Sequence, residues 1–316
     1  MSNAKSNNLP ELKQIFKWMR LSFSELKKND PLRLAGATAF FSTFALPPIL
    51  IILIQLFGLF LNRNDLSAQL ISRLANVMGT TSASLVQQIL KNFNSLSQSL
   101  LALSLGFFGL LFVATTLFSV IKNTLDQIWN IKVKAHPGLL FYLKLRGRSL
   151  VVILLAGLLF IFSIFIESMQ AILGNYLNYF GPRAGTLLNG AFSELLFVII
   201  VTTWFSVIFR FLTDGRPKWR AALAGGFFTG VLFAFGKVLL KWLLSLSNIS
   251  SIYGASGSIV LILLFVFYSS LIFYYGGCFI KIMSDDLGLP IRPVKEAFTY
   301  QVLEVPTSVK DTDSTK

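Results

Sequence analysis

Residues 149–166 read SLVVILLAGLLFIFSIFI, eighteen positions without a single charge. A helix rises ~1.5 Å per residue, so about 20 apolar residues cross the ~30 Å hydrocarbon layer of a bilayer. The run is continuously apolar, whereas a strand of an outer-membrane barrel alternates over ~10 residues. Extended to its polar flanks it becomes a span over 149–173. Working outward, the same criteria give further spans at 34–61, 99–121, 189–209, 221–246 and 255–280. The fold class is therefore all-α, a polytopic membrane protein of six transmembrane helices forming one domain over 34–283. Composition agrees: 54% of the 316 residues are hydrophobic and 13% charged, against about 25% charged in soluble domains.

Lys and Arg near span ends resist translocation, so their distribution sets orientation. Twenty-two of the 28 basic residues fall in 1–33, 122–148, 210–220 and after residue 280. Only Arg63, Arg73, Lys91 and Arg183 lie on the opposite side, and Lys237 and Lys241 lie within a span. An even span number with this asymmetry places both termini in the cytoplasm of a bacterial cell, in its inner membrane. The net charge of +14 follows from topology and does not call for a nucleic-acid partner. The same residues suit the anionic head groups of the inner leaflet. Some 30 polar residues precede the first apolar run, which argues against a cleaved signal peptide.

Outside the spans, residues 1–33 contain a basic amphipathic helix, Glu11 to Lys28, with Leu12, Ile15, Phe16, Met19, Phe23 and Leu26 at helical spacing, suited to lie on the inner leaflet. Asp30-Pro31 supplies an N-cap and a first-turn proline for the first span. Pro47-Pro48 removes two backbone donors and predicts a kink or break there, serving packing alone, or a hinge or cavity wall. Residues 62–98 carry two apolar stripes, Leu66 to Met78 and Leu85 to Phe93, separated by Gly79. They predict two short helices capping the outer face. Between the second and third spans, Trp129 and Tyr142 suit an interfacial elbow, and the lone His136 a turn. Asp285-Asp286 opens a polar tail, 284–316, whose end after Glu304 has a disordered composition.

Ionisable residues inside spans cost roughly 2.5–3.5 kcal/mol for Lys on insertion scales, so they need partners or water. Glu167, Glu194, Lys237 and Lys241 fall at one depth, in the outer third, on three helices. Either they neutralise one another as structural ion pairs, or they line a polar, ligand-binding cavity open to the outer side. Excess lysine would suit a phosphate or carboxylate. In this reading Lys237 and Lys241 face the bundle interior. Gly226, Gly230 and Ala234, four apart, form a small-residue face for close packing within the chain or for a homo-oligomer. No metal-ligand cluster, P-loop or GxSxG occurs, and neither a cofactor nor an enzymatic activity is expected.

Four motifs together resemble one family. They are Asp30-Pro31 with Ala35, Ala37, Ala39-Phe40-Phe41 and Pro47; the run Asn123 to Trp129, including Asp126; Phe209 to Asp214 with Trp219-Arg220 and Gly225-Gly226; and Tyr253-Gly254-Ala255-Ser256-Gly257. Over about residues 30 to 283 the chain resembles the YihY/virulence factor BrkB family, once wrongly called ribonuclease BN. The resemblance implies an inner-membrane protein with six spans and cytoplasmic termini, a transporter or permease sometimes linked to envelope lipid export. Phe40-Phe41 replaces the family's Tyr-Tyr, Thr213 its proline, and Cys278 the acidic residue near the end of the last span. The last change argues against a proton- or cation-coupled role for that position. Two functions remain open: a transporter or lipid-handling protein for an anionic amphiphile, and a structural or envelope-assembly protein without a transported substrate.

Overall fold

A computed structural model describes residues 12–60, 62–95, 100–134, 139–177, 182–246 and 257–301. The helices are α1 (Leu12–Lys28), α2 (Pro31–Phe57), α3 (Arg63–Met78), α4 (Thr80–Ser95), α5 (Leu100–Ile128), α6 (Leu139–Leu177), α7 (Pro182–Val207), α8 (Trp219–Leu246) and α9 (Gly257–Asp286). Short strands β1 (Ile131–Val133), β2 (Gly215–Arg216), β3 (Arg292–Pro293) and β4 (Ala297–Thr299) punctuate them. Five helices among the described residues, α2, α6, α7, α8 and α9, are long and apolar enough to cross a membrane. The 29-residue α5 runs through the remaining apolar stretch. The chain is an all-α, multi-pass membrane protein.

The long helices pack in the order α5, α2, α9, α8, α7, α6, with a sparser seam returning from α6 to α5. Phenylalanines supply much of the contact: Phe209 stacks on Phe273 at 4.8 Å, and Phe228 on Phe279 at 4.4 Å. The α7–α8 contact is made close by Gly226 and Gly230. A β-carbon on Gly226 would lie 2.8 Å from the carbonyl oxygen of Thr202, and one on Gly230 2.8 Å from Thr202 Oγ1. These glycines thus meet α7 of the same chain, so that face is not open to a second copy while α7 is seated on it. Gly226→Val is expected to force α7 and α8 apart at a cost of about 1 to 3 kcal/mol. Thermal unfolding in detergent measures it, and an unshifted transition would contradict this packing.

The paired helices α3 and α4 cover one end of the bundle. Leu66, Leu70, Val86 and Leu90 bury against Leu50 and Ile51 of α2 and Ile262 and Phe265 of α9. The two amphipathic stripes needed an apolar surface, and the ends of these spans provide it. Asn62 caps α3, its side chain accepting from the Asn64 N–H at 2.9 Å, and Arg73 reaches down to donate to Ser163 Oγ at 2.8 Å.

At the other end, α1 straps the last span. Trp18, Ser22 and Leu26 are buried, Trp18 Nε1 donates to Asp286 Oδ2 at 2.9 Å, and Lys281 Nζ lies 2.6 Å from Glu25. Leu12, Phe16 and Phe23 stay exposed. The helix therefore uses one face on the bundle and leaves a second apolar face free, where the sequence suggested a single lipid-facing stripe.

Several expectations need correction. Of the kink or break expected at Pro47-Pro48, the break does not occur, since α2 is helical through residue 57. The prolines free the carbonyls of Thr43 and Phe44, but packing on α5 and α9 holds the turns on either side. Asp30 stands at the N-cap position, with Pro31 next, in left-handed backbone (φ 49°), and its side chain caps nothing. It lies instead 3.7 Å from Arg33. Asp286 belongs to α9, and the segment after it is structured. There β4 pairs with β1, Phe298 opposite Lys132, and β3 pairs with β2, Pro293 opposite Gly215. His136, Tyr253, Gly254 and the end of the chain lie outside the described residues.

A buried charge cluster and two outward-facing candidate sites

Among the described residues the most buried ionic group sits where α5, α6 and the end of α7 meet. Lys122, one turn before Asp126 on α5, puts Nζ 3.0 Å from Asp126 Oδ2 and 2.6 Å from Asp214 Oδ2. The second contact is a charge contact without hydrogen-bond alignment. From α6, Arg148 donates to Asp214 Oδ1 at 2.9 Å and to the Thr213 carbonyl at 3.2 Å. The Asp214 N–H in turn donates to Asp126 Oδ1 at 3.0 Å. The Lys122 side chain is 3% exposed and that of Asp214 0%. Two cations and two carboxylates compensate one another here, and each is hydrogen-bonded or paired, as buried charge requires. Burial, partly opposed by Lys122, pushes the Asp126 carboxyl up to about 6.

Trp129 completes this end. It is 3% exposed, and its Nε1 donates to the Gly277 carbonyl of α9 at 2.9 Å. It is a core residue joining α5 to α9, which corrects its reading as an interfacial anchor. Cys278 is wholly buried beside it, so this chain spends no carboxylate at that point of α9. Nearby, Tyr274 Oη and Thr38 Oγ1 share a hydrogen bond of 2.5 Å between α9 and α2. Tyr274→Phe is expected to cost about 1 to 2 kcal/mol, since it removes one partner of a buried bond. An unchanged unfolding midpoint would contradict that. A cavity of about 550 Å³ opens beside the cluster, lined by Lys122, Asn123, Asp126, Gln127, Lys132 and Phe298 among others.

Along α8, Lys237 stands eighteen residues beyond Trp219, roughly 27 Å toward the opposite end. Its Nζ lies 3.0 Å from Glu194 Oε1 of α7 and 3.9 Å from the centre of the Phe197 ring. The expected contact between Lys237 and Glu194 forms, with the Lys237 side chain 19% exposed, but Glu194 does not face the bundle interior. Glu194 is 58% exposed at its side chain, among exposed Phe192, Leu195, Phe235 and Val238. The pair marks the seam between α7 and α8 on the apolar outer surface. The side chains of Lys241 and Glu167 lie outside the described residues. The cavity described above is thus at the end opposite to Lys237.

The α7–α8 elbow carries the remaining charged motif. After α7 the chain takes one π-helical turn, Ile208–Leu212, then enters β2. Arg210 donates to the Pro217 carbonyl and Arg216 to the Arg210 carbonyl. Arg210 lies over the Trp219 ring and Arg216 over that of Phe211. The two rings meet edge to face at 5.7 Å. Trp219, Lys218 and Arg220 are exposed. Among the described residues no three His, Cys, Asp or Glu gather as a metal site.

Asp126, Trp129, Asp214 and Trp219 were singled out by motif, and the structure joins the first three in one core. Lys122 and Arg148 were missed, having been counted only as topology-setting charges. The i, i+4 spacing of Lys122 and Asp126 was the signal that could have found the first.

The family model described as Virulence factor BrkB matches residues 22–293. A UPF0761 membrane protein of Saccharophagus degradans is 25% identical over 83% of this chain and 58% of its own length. One of Mannheimia succiniciproducens is 24% identical over 88% of the chain and 92% of its own length, and one of Haemophilus influenzae 24% identical over 87% and 96%. The chain thus spans less than two thirds of the first of these relatives and nearly all of the other two. No solved structure matches it. With a model match across most of its length, the chain belongs to the virulence factor BrkB family of multi-pass membrane proteins.

Proposed function

We propose that this protein is a transporter or lipid-handling protein of the bacterial inner membrane, with both termini in the cytoplasm, acting on an anionic amphiphile. The observation that carries this reading is the Lys237–Glu194 pair in the α7–α8 seam. Ion pairs can often be replaced by apolar side chains without loss of stability, so holding two helices together does not require one. Here the pair sits in an otherwise apolar outer surface, with Glu194 turned outward. An anionic head group entering from lipid can displace the carboxylate and take the ammonium, while its chains stay against Phe192, Leu195 and Val238. The exchange swaps one anion for another at Lys237, so the cation is never left bare.

The test is translocation of a fluorescent anionic phospholipid across liposomes carrying the purified protein. Lys237→Met is expected to slow it about tenfold or more, the factor that loss of a charge-assisted contact of roughly 1.5 kcal/mol gives. Its thermal midpoint in detergent should move little, because a pair whose carboxylate is 58% exposed contributes only ~0 to 1 kcal/mol. No translocation by the wild type, or an equal rate in the variant, would sink the reading. The alternative, a structural or envelope-assembly protein without a transported substrate, draws on the Lys122 cluster, which satisfies its charges without a ligand.

A further inference from the structure

We propose that the α7–α8 elbow is a binding site for the phosphate of an anionic membrane lipid, held by Arg210 and Arg216. Four features converge there. The first is an excess of positive charge: among the described residues no carboxylate stands within ion-pair distance of either guanidinium, Asp214 being paired with Lys122 and Arg148. Burial, and then the neighbouring Arg148 and Arg210 charges, hold the Arg216 guanidinium below its ordinary range, with Asp214 opposing them in part.

Second, both side chains are fixed. Each donates through one nitrogen to a backbone carbonyl and lies over an aromatic ring. The remaining N–H groups of each planar fork are left for a ligand, and forks of this kind match phosphate oxygens in pairs. Third, the π-helical turn at Ile208–Leu212 shapes the elbow, placing Arg210 and Arg216 side by side although six residues apart. Such turns recur at functional sites.

Fourth, exposed Phe211 and Trp219 border the arginines where two long apolar helices emerge. A soluble anion has no use for that apolar border, whereas a lipid carries acyl chains to lie on it. A cluster of aromatic rings and arginines at the end of membrane helices therefore points to a head group with its tails still in the bilayer. The site stands apart from Lys237, at the other end of α8, and does not rest on the transport reading.

Native mass spectrometry of the purified full chain, in phosphatidylcholine nanodiscs with and without phosphatidylglycerol, tests this at equilibrium, with no translocation involved. The wild type should retain phosphatidylglycerol in preference to phosphatidylcholine. Arg210→Gln with Arg216→Gln should lower that preference by about 30-fold, from ~1 kcal/mol per basic residue near an anionic surface. The conservative Arg210→Lys with Arg216→Lys keeps the charge without the fork. It should fall between the two, and serves if the glutamine variant does not fold. Lys13→Gln with Lys17→Gln on α1 should change the preference little. Loss that follows the α1 lysines instead, equal retention in the glutamine variant, or displacement of the bound lipid by inorganic phosphate would each overturn the proposal.

Discussion

Lys122→Met is expected to leave the protein unable to hold its fold in detergent, at a cost of about 3 to 5 kcal/mol. Among the described residues the Lys122 ammonium alone pairs with both carboxylates, at 3.0 and 2.6 Å. Without it Asp126 and Asp214 face each other in a buried site, and among the described residues Arg148 alone answers Asp214. Asp126→Asn should be milder. Asparagine keeps an oxygen to accept the Asp214 N–H, and burial already favours a neutral group at this position. The two variants differ in pH dependence as well. The Asp126 carboxyl has its folded value, about 6, above its ordinary 3.8. The folded state therefore binds the proton more tightly, and that contribution is fully present below about pH 4 and fades as pH rises through 6. The difference in stability between wild type and Asp126→Asn should shrink or change sign across that window. A constant difference from pH 4 to 7.5 would mean that Asp126 does not titrate there.

Trp129→Ala should cost about 3 to 5 kcal/mol, the range for deleting a large aromatic from a core. The indole fills the space between α5 and α9 and also donates to the Gly277 carbonyl. Trp129→Phe separates these two contributions. It keeps most of the ring volume and loses the donor, so about 0.5 to 1.5 kcal/mol should remain as the loss of one buried hydrogen bond, the Gly277 carbonyl keeping its partner within α9. Unfolding midpoints of the two variants in the same detergent measure both terms. If Trp129→Ala were tolerated like a surface change, the indole would be the interfacial anchor that the sequence suggested.

Why the sequence was misleading at Trp129 is physically simple. Tryptophan between a span and a basic loop has the composition of a membrane boundary, and the ring's direction is set by what packs over it. Here α9 packs over it, and the Gly277 carbonyl accepts its N–H. Long apolar runs and the two amphipathic stripes of α3 and α4 were legible, because burial in lipid or against a span is the only outlet for such surfaces. The charge cluster was not. Lys122 and Arg148 look identical to residues that merely keep a loop on one side of the membrane. Only the folding of β2 and β3 back under the bundle buries Asp214 beside them. Depth along a helix placed Lys237 and Glu194 in one layer, and the structure pairs them. Depth carries no information about which way a side chain turns about the helix axis, so the outward direction of Glu194 was invisible. Pro47-Pro48 illustrates the converse: local chemistry argued for a kink or a break, and α2, packed on both sides, runs on unbroken.

Photo-crosslinking in native membranes tests the central claim most directly. An anionic phospholipid with a photoreactive group near its head should form adducts on the wild-type protein at residues flanking the seam, such as Leu195 and Val238, and Lys237→Met should abolish them. A zwitterionic analogue should react weakly at both. Adducts of equal yield in the wild type and in Lys237→Met, or equal labelling by the two analogues, would contradict a seam that recognises an anionic head group through Lys237.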